Sequence, residues 1–323
     1  MLVNNEKIAI VGGNGFVGRH LTAKLVEQGY QVSVLTRRRE SSRSMWVLPG
    51  VEWVECNVYE EGVISEIFAN HQAVVNLVGI LYEKKDNGKG FHRAHVELPR
   101  IIVNACLRAG VSRLLHMSAL HADAQQSPSY YLKSKGQGED LVHRASSEGL
   151  AVTSFRPSVI FGENDAFFNR FSHLLKLAPL VFPLACPHSK FSPVYVGDVV
   201  HAFVAALKIP ETIGQRYDLC GPKIYQLYDL VTYVMTLTGH RRLIINLPNV
   251  MARIQAWLLE FVPGKPFCRD NYRSLQIDSV CKQAFPAVFN LKPAAIESVV
   301  PQYLRCQTQH GRFDDYRRDV HRD

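Results

Sequence analysis

Tyr131 and Lys135 stand four residues apart in SPSYYLKSKGQGEDLVHRA, a spacing that puts both side chains on one face of a helix. A phenol beside an ammonium is a proton-relay arrangement. The lysine charge lowers the phenol's pKa and reaches toward a ribose, while the tyrosine exchanges a proton with a carbonyl or alcohol. The neighbouring Tyr130 has Ser134 at the same spacing, so Tyr131 sets the register. A second constellation lies in KIAIVGGNGFVGRHL, where Gly12, Gly15 and Gly18 follow an apolar run. Gly12 allows a tight turn, Gly15 a close backbone approach to a pyrophosphate, and Gly18 close packing of the following helix on the strand. The helix start adds free N–H groups and positive dipole. Glycine spacing alone is weak evidence; the strand before and the helix after make it specific. Gly12, Gly13, Asn14, Gly15, Phe16, Val17 and Gly18 are therefore candidate cofactor contacts.

The identity of the cofactor is read one strand later. QVSVL, residues 31 to 35, ends in Thr36 and then Arg37, Arg38 and Arg39, with the first acid at Glu40. An NAD site usually places an acid here for the ribose 2′-hydroxyl, whereas a guanidinium suits the 2′-phosphate of NADP. Arg37 and Arg38 thus favour NADP(H) over NAD(H). Further strand ends supply the remaining wall: Asn57 and Val58 after VEWVEC, and Leu77, Val78 and Gly79 after AVVN. Asn57 and Val58 read equally well as turn residues.

The elements that must position these residues alternate. Strands are expected at Lys7–Val11, Gln31–Leu35, Val51–Cys56, Ala73–Val78, Arg113–Met117 and Ala151–Phe155, with helices between them, including one over 91 to 109 interrupted near Pro99. This is an α/β pattern, a Rossmann-type doubly wound parallel sheet. Residues 1–160 and 190–208 form the expected nucleotide domain. Residues 161–189 and 209–306 form a smaller, discontinuous substrate or partner lobe, followed by a charged, disordered tail over 307–323. In the lobe, Pro179, Pro183 and Pro187 break the chain into a loop, Phe191–Val196 is a strand, and Asp198 caps a helix over Val199–Leu207. A helix over Leu227–Thr238 ends at Gly239. The stretch PNVMARIQAWLLEFV puts Met251, Ile254, Trp257, Leu258 and Phe261 on one side; ordinary lobe core is the preferred reading over a membrane- or partner-facing surface.

Taken together, GGNGFVGRH, NLVG, YLKSK, SFRPSVIFGENDAF and PVYVGDVVHA resemble, in this order, an extended short-chain dehydrogenase/reductase, and more narrowly its atypical branch. The resemblance covers residues 5 to 305. It implies a catalytic pair at Tyr131 and Lys135, an NADP phosphate contact at Arg37, and cofactor contacts reaching Met117, Ser118, Pro157, Ser158 and Val159. The chain departs from the family at the hydroxyl that polarises a substrate carbonyl. Active extended relatives carry a serine- or threonine-rich run there; this chain has Met117-Ser118-Ala119-Leu120, leaving Ser118 as the candidate oxyanion donor. Two classes of function follow. One is an NADP(H)-dependent oxidoreductase or nucleoside-diphosphate-sugar epimerase acting on a small molecule. The other, favoured by the shortened hydroxyl run, is a cofactor-binding accessory or assembly protein with weak redox activity. The resemblance also implies a respiratory or quinone-linked protein partner.

Composition narrows the setting. With 323 residues, 47% hydrophobic and 20% charged, the chain is long enough for a large core. The net charge of +8 is spread rather than gathered on an aromatic-interleaved face, so no nucleic-acid partner is expected. Seven dispersed cysteines without a CxxC pair read as reduced thiols. Cys186 and His188 lack further ligands, so no metal is expected. No signal peptide or membrane-spanning run is visible, which suggests a cytoplasmic protein with at most peripheral contact at the inner face of a membrane.

Overall fold

The computed structural model describes residues 6–37 and 48–305. Arg38, one of the expected phosphate contacts, and the charged tail over 307–323 lie outside the described residues. The chain divides into two units, each discontinuous in sequence. The first comprises Met1–Pro157, Gly197–Leu219 and Pro286–Asn290; the second comprises Ser158–Val196, Cys220–Phe285 and Leu291–Asp323.

The first unit runs β1 (Lys7–Val11), α1 (Phe16–Glu27), β2 (Gln31–Thr36), β3 (Val51–Glu55), α2 (Glu61–Phe68), β4 (Ala73–Asn76), α3 (Lys89–His92), a π-helical turn (Arg93–Glu97), α4 (Leu98–Ala109), β5 (Arg113–Met117), α5 (Tyr130–Arg144) and β6 (Ala151–Pro157). Its strands form one seven-stranded sheet in the order β11-β6-β5-β4-β1-β2-β3, with β11 at Arg216–Leu219. Every neighbour in it is parallel. β1 from Ile8 onward, β4 and β5 are continuously buried because helices cover both faces of such a sheet. Ala9, Val74 and Leu114 pack with Ile64 and Phe68 of α2 and Ile102 and Cys106 of α4. Strand order reverses between β1 and β4, and that switch point is where an open α/β sheet offers its ligand crevice.

Helix α5 is locked to this sheet by two devices. A Cβ on Gly138 would fall 1.8 Å from the carbonyl oxygen of His95, so only glycine lets α5 cross the π-helical turn this closely. One turn beyond Lys135, Glu139 is fully buried and takes the Arg156 guanidinium in two arms, with Nη2 to Oε2 at 2.7 Å and Nε to Oε1 at 2.9 Å.

The second unit contains β7 (Ile160–Phe161), α6 (Phe168–Leu177), β8 (Val181–Leu184), β9 (Lys190–Phe191), β10 (Val194–Tyr195), β12 (Tyr225–Gln226), α8 (Leu227–Thr238), β13 (Leu243–Asn246), α9 (Asn249–Leu259), α10 (Arg269–Ser274) and α11 (Ile296–Leu304). Phe161, Phe168, Leu175, Leu230, Val234 and Val300 make its core. Helix α7 (Val196–Lys208) enters the first unit at Gly197.

Five local expectations are corrected. The helical stretch over 91 to 109 is not broken at Pro99. It runs on from α3 through the π-helical turn into α4, and Pro99 stands directly after that turn, where the i→i−4 ladder is already interrupted. The helix after Tyr195 begins at Val196, so Asp198 is an acid inside its first turn rather than its cap, where it still meets the positive end of the dipole. The strand expected over Phe191–Val196 is two short ones, β9 and β10. The proline-broken loop contains β8, which pairs with β13 and accommodates Pro183 in a two-stranded ribbon. Cys220 and Cys281 form a disulfide, so the thiols are not all reduced. Sequence spacing hides that pair, because the two are 61 residues apart and the fold brings their Cα atoms to 6.0 Å.

The Glu139–Arg156 pair yields a stability prediction. Arg156→Ala leaves the buried Glu139 carboxylate with the more distant Arg216 Nε, 3.9 Å away, and should cost about 3 kcal/mol in urea unfolding. Lys24→Ala, which removes a surface pair with Glu27, should cost less than about 0.5 kcal/mol.

Candidate dinucleotide site

β1 delivers the chain into the glycine turn, and the turn closes through Gly15 N–H donating to the Gly12 carbonyl at 3.1 Å. Gly12 takes φ +90, a backbone conformation that L side chains rarely adopt, and a Cβ there would press on the Leu77 and Val78 backbone at 3.2 Å. A Cβ on Gly18 would sit 2.5 Å from the Gly12 carbonyl oxygen, so α1 packs directly on the turn. Gly15 differs: its Cβ would meet only the Gly12 oxygen, at 3.3 Å. It is the exposed N-cap of α1, without a capping side chain and without an acid in the first turn. Those first N–H groups are therefore available to an anion. Asn14 donates to Thr36 Oγ1 at 3.3 Å, while Phe16 stacks edge-on with His20 and Val17 is half-buried.

The end of β4 brings the turn to Lys135. A Cβ on Gly79 would lie 3.2 Å from Lys135 Nζ and 3.7 Å from His95 Nε2. Lys135 is 3% exposed, and its ammonium donates to the Met117 carbonyl at 3.0 Å and the Val78 carbonyl at 3.3 Å. Burial pushes its pKa down to about 8, with Glu139 opposing the fall. Tyr131, one turn earlier on α5, sets its ring edge-on against His95 at 5.5 Å and against Phe91 at 6.0 Å.

His95 and Ser134 escaped the sequence reading. Ile80 N–H donates to His95 Nε2 at 3.1 Å, so that nitrogen carries the lone pair. The Ser134 hydroxyl donates to the Tyr131 carbonyl at 2.9 Å, so His95 Nδ1–H donates to Ser134 Oγ, also at 2.9 Å. The histidine is thus neutral and oriented, consistent with a pKa held well below the usual value by burial and then by the Lys135 charge. His116 is treated similarly: Asn76 donates from Nδ2 to its Nδ1 at 3.2 Å, and burial holds it neutral. The one available signal was a π-helical turn around His95, a distortion that often marks functional segments but cannot be read from periodicity.

Ser118 is 2% exposed and donates its N–H to the Phe155 carbonyl at 2.7 Å; its hydroxyl is buried without a hydrogen-bond partner among the described residues. Ala119 and Leu120 follow it, both buried and neither able to donate from a side chain. Arg37 is exposed at the end of β2, with its charge acting on Tyr59. The Arg93 guanidinium lies 4.4 Å above the same ring, a second cation that sequence spacing did not suggest. Asn57 bonds Glu60 and the Tyr59 N–H, and Val58 is buried in the core, so the latter side chain faces no ligand. Pro157 is buried in β6 and accepts from Leu120 N–H at 3.0 Å. Ser158 and Val159 fall in the second unit, where the Ser158 hydroxyl donates to the Ser279 carbonyl and the Val159 carbonyl accepts from Val194. The structure therefore gathers the glycine turn, Leu77–Gly79, Met117, Tyr131 and Lys135 within the first unit, while the Val58 side chain packs in the core. A glycine cradle, an uncapped helix start and an orphaned buried hydroxyl together fit a dinucleotide.

Comparison with known proteins agrees with that chemistry. The model of the NAD dependent epimerase/dehydratase family matches residues 8–220, and the chain belongs to that family. It is 30% identical to the mitochondrial NADH dehydrogenase [ubiquinone] 1 alpha subcomplex subunit 9 of Mus musculus, over 94% of this chain and 81% of that one. It is 29% identical to the ceramide reductase of Caulobacter vibrioides, over 63% of this chain and 61% of that one. Among solved structures, a UDP-glucose 4-epimerase of Thermotoga maritima superposes with a TM-score of 0.71 at 16% identity, covering 93% of this chain and 99% of that one. The Bordetella bronchiseptica enzyme WbmF, solved in complex with NAD+, gives 0.65 at 18% identity, covering 77% and 83%. These structures share the fold. The protein is a dinucleotide-binding member of the family.

Two outcomes test this geometry. Gly15→Ala should change stability by less than about 1 kcal/mol yet weaken dinucleotide binding at least tenfold, while Gly18→Ala should lower the melting temperature itself. Lys135 titrates at about 8 when folded against 10.5 unfolded, so its penalty is full below pH 8 and disappears as pH rises through 10.5. In urea titrations without cofactor, wild type should gain about 3 kcal/mol over Lys135→Met across that window. A gain on acidification instead would refute the assignment.

Proposed function

We propose that this member of the family is an NADP(H)-binding accessory protein of a respiratory or quinone-linked assembly, retaining weak redox activity. The observation that carries the reading is the oxyanion position: Ser118 supplies one buried hydroxyl, and Ala119 and Leu120 replace what would be further donors. A transition state with charge developing on oxygen needs several aimed donors, and each lost donor costs about a hundredfold in rate. The likeness to a subunit of NADH dehydrogenase over 94% of this chain supports the accessory role. A tightly held cofactor stabilises a fold by several kcal/mol without turnover, through mass action alone.

The residues assigned to the cofactor are Gly12 to Gly18 at the pyrophosphate, Arg37 at the 2′-phosphate, Leu77 to Gly79 and Met117 along the crevice, and Lys135 at the nicotinamide ribose. Arg93 adds positive charge near Tyr59, which supports NADP(H) over NAD(H). A bound nicotinamide supplies or accepts hydride. Tyr131 holds the proton that a carbonyl would take up or an alcohol would release. Ser134 and His95 act as positioning residues, fixing the Tyr131 backbone and ring, and Ser118 offers the single donor to an oxyanion.

A second reading, an active NADP(H)-dependent reductase or sugar-nucleotide epimerase, is favoured by the intact Tyr131 and Lys135 pair. Calorimetry and turnover assays separate the two. NADP+ should bind more tightly than NAD+, and Arg37→Ala should weaken NADP+ about tenfold while leaving NAD+ nearly unchanged. Tyr131→Phe should retain NADP+ binding and reduce any turnover by about a hundredfold or more. Tighter NAD+ binding refutes the cofactor choice, and fast turnover in wild type replaces the accessory reading with the enzymatic one.

A further inference from the structure

The preferred expectation that the apolar stripe of α9 is lobe core is overturned. The helix buries Ala252 and Ala256, and it exposes Val250, Met251, Ile254, Trp257 and Leu258. At 3.6 residues per turn those five occupy about one third of the circumference, opposite the two alanines. Phe261, just beyond the helix, is 72% exposed. The surface continues onto neighbouring elements. β13 precedes α9 and exposes Leu243 and Ile245; its partner β8 and the turn before it expose Val181 and Leu180. Gln255 Nε2 donates to the Pro183 carbonyl at 2.9 Å and ties α9 to β8. A contiguous apolar surface of this kind marks an interaction site.

Charge identifies the occupant. Within residues 170–184 and 239–265 stand six bases, Arg170, Lys176, Arg241, Arg242, Arg253 and Lys265, against one acid, Glu260. The helix alone carries only Arg253; of the others, Arg242 directly precedes the exposed Leu243 of β13, and Arg170 donates to the Pro266 carbonyl next to Lys265. Arg242 donates to the Ala178 carbonyl, and burial, followed by the charges of Arg242 and Lys176, lowers the pKa of His240. Between α9 and α10 lies a cavity of about 490 Å³ whose lining includes Arg253, Arg269, Arg273, Trp257, Tyr272 and Gln276. Glu260 pairs with Arg269 at 2.9 Å and Asp270 with Arg273 at 3.4 Å, which leaves a net positive pocket beside an apolar face. Guanidiniums with an aromatic border, next to exposed aliphatic side chains, match a phosphate headgroup with its acyl chains.

We infer that this face of the second unit docks on an anionic phospholipid surface, with α9 lying in the interface and a lipid phosphate in the arginine-lined cavity. The contact is superficial: among the described residues no helix is long and apolar enough to cross a membrane. A helix with Trp and Leu on one side and bases around it binds a bilayer by burying the apolar side at the headgroup boundary, with electrostatic attraction to anionic lipids adding to it. The inference does not rest on the cofactor assignment, since every residue in it lies in the second unit.

Flotation of the full chain with vesicles of phosphatidylcholine, alone or mixed with phosphatidylglycerol, tests it. Wild type should float with the anionic vesicles and not with the neutral ones, and binding should weaken as salt is raised. Tryptophan emission should shift to the blue on binding, and Trp257→Ser should remove most of that shift. Trp257→Ser/Leu258→Ser should abolish flotation, and Arg253→Glu should weaken it about tenfold, both with unchanged melting temperature. Because Arg253 is exposed, the second variant keeps the test open if the first misfolds. Absence of flotation by wild type, equal flotation with neutral vesicles, or undiminished flotation of both variants overturns the inference. So does inorganic phosphate raising the melting temperature while vesicles fail to bind. Self-association that Trp257→Ser/Leu258→Ser disperses, without vesicle binding, overturns it in favour of a second copy.

Discussion

A buried ammonium organises the first unit. Lys135 has almost no solvent contact, and its charge is met by carbonyls at the ends of two adjacent strands, Val78 after β4 and Met117 ending β5. A cation in that position is tolerable only while both carbonyls and the helix that carries it keep their places. Everything around it serves that end. Glu139 sits one turn along α5 and is itself neutralised by Arg156. His95 and His116 are held neutral, so no second positive charge competes for the same space. The lysine, depressed to about 8, is poised to lose its proton close to physiological pH.

Backbone proximity is the second constraint. α1 touches the glycine turn at Gly18, and α5 touches the π-helical turn at Gly138; in both cases a single methyl would collide with a carbonyl oxygen. Those two contacts draw a helix start and a lysine to the same strand ends. Gly15 belongs to a different class, since little there forbids a side chain and the space before it faces outward. Packing explains Gly18, and access explains Gly15.

The second unit is built on another principle. Its core is aromatic and aliphatic, with Phe161, Phe168 and Leu175 against α8 and α11, and Tyr303 reaching back to donate to the buried Asp165 at 2.6 Å. A disulfide between Cys220 and Cys281 joins segments distant in the chain. What this unit leaves uncovered is as informative as what it buries: small alanines face inward on α9 while its large apolar side chains face out. A soluble lobe with no partner would have the reverse arrangement.

The amino-acid sequence by itself determined the alternation of strands and helices, the glycine turn, the pairing of Tyr131 with Lys135 and the family, because each rests on neighbours within a few residues. Periodicity sets which residues share a face, and turn chemistry is local. Only the tertiary structure decided matters that join distant segments or choose between faces. It joined His95 to Ser134 and Ile80, and it brought Cys220 to Cys281. It sent the side chain of Val58 into the core and the hydroxyl of Ser158 to Ser279 in the second unit. The apolar stripe of α9 shows why the distinction is physical. Its spacing fixed the stripe in the sequence, but a stripe has the same period whether it meets a core or a membrane. Which of the two it meets depends on the rest of the fold, and there the inward places were taken by Ala252 and Ala256.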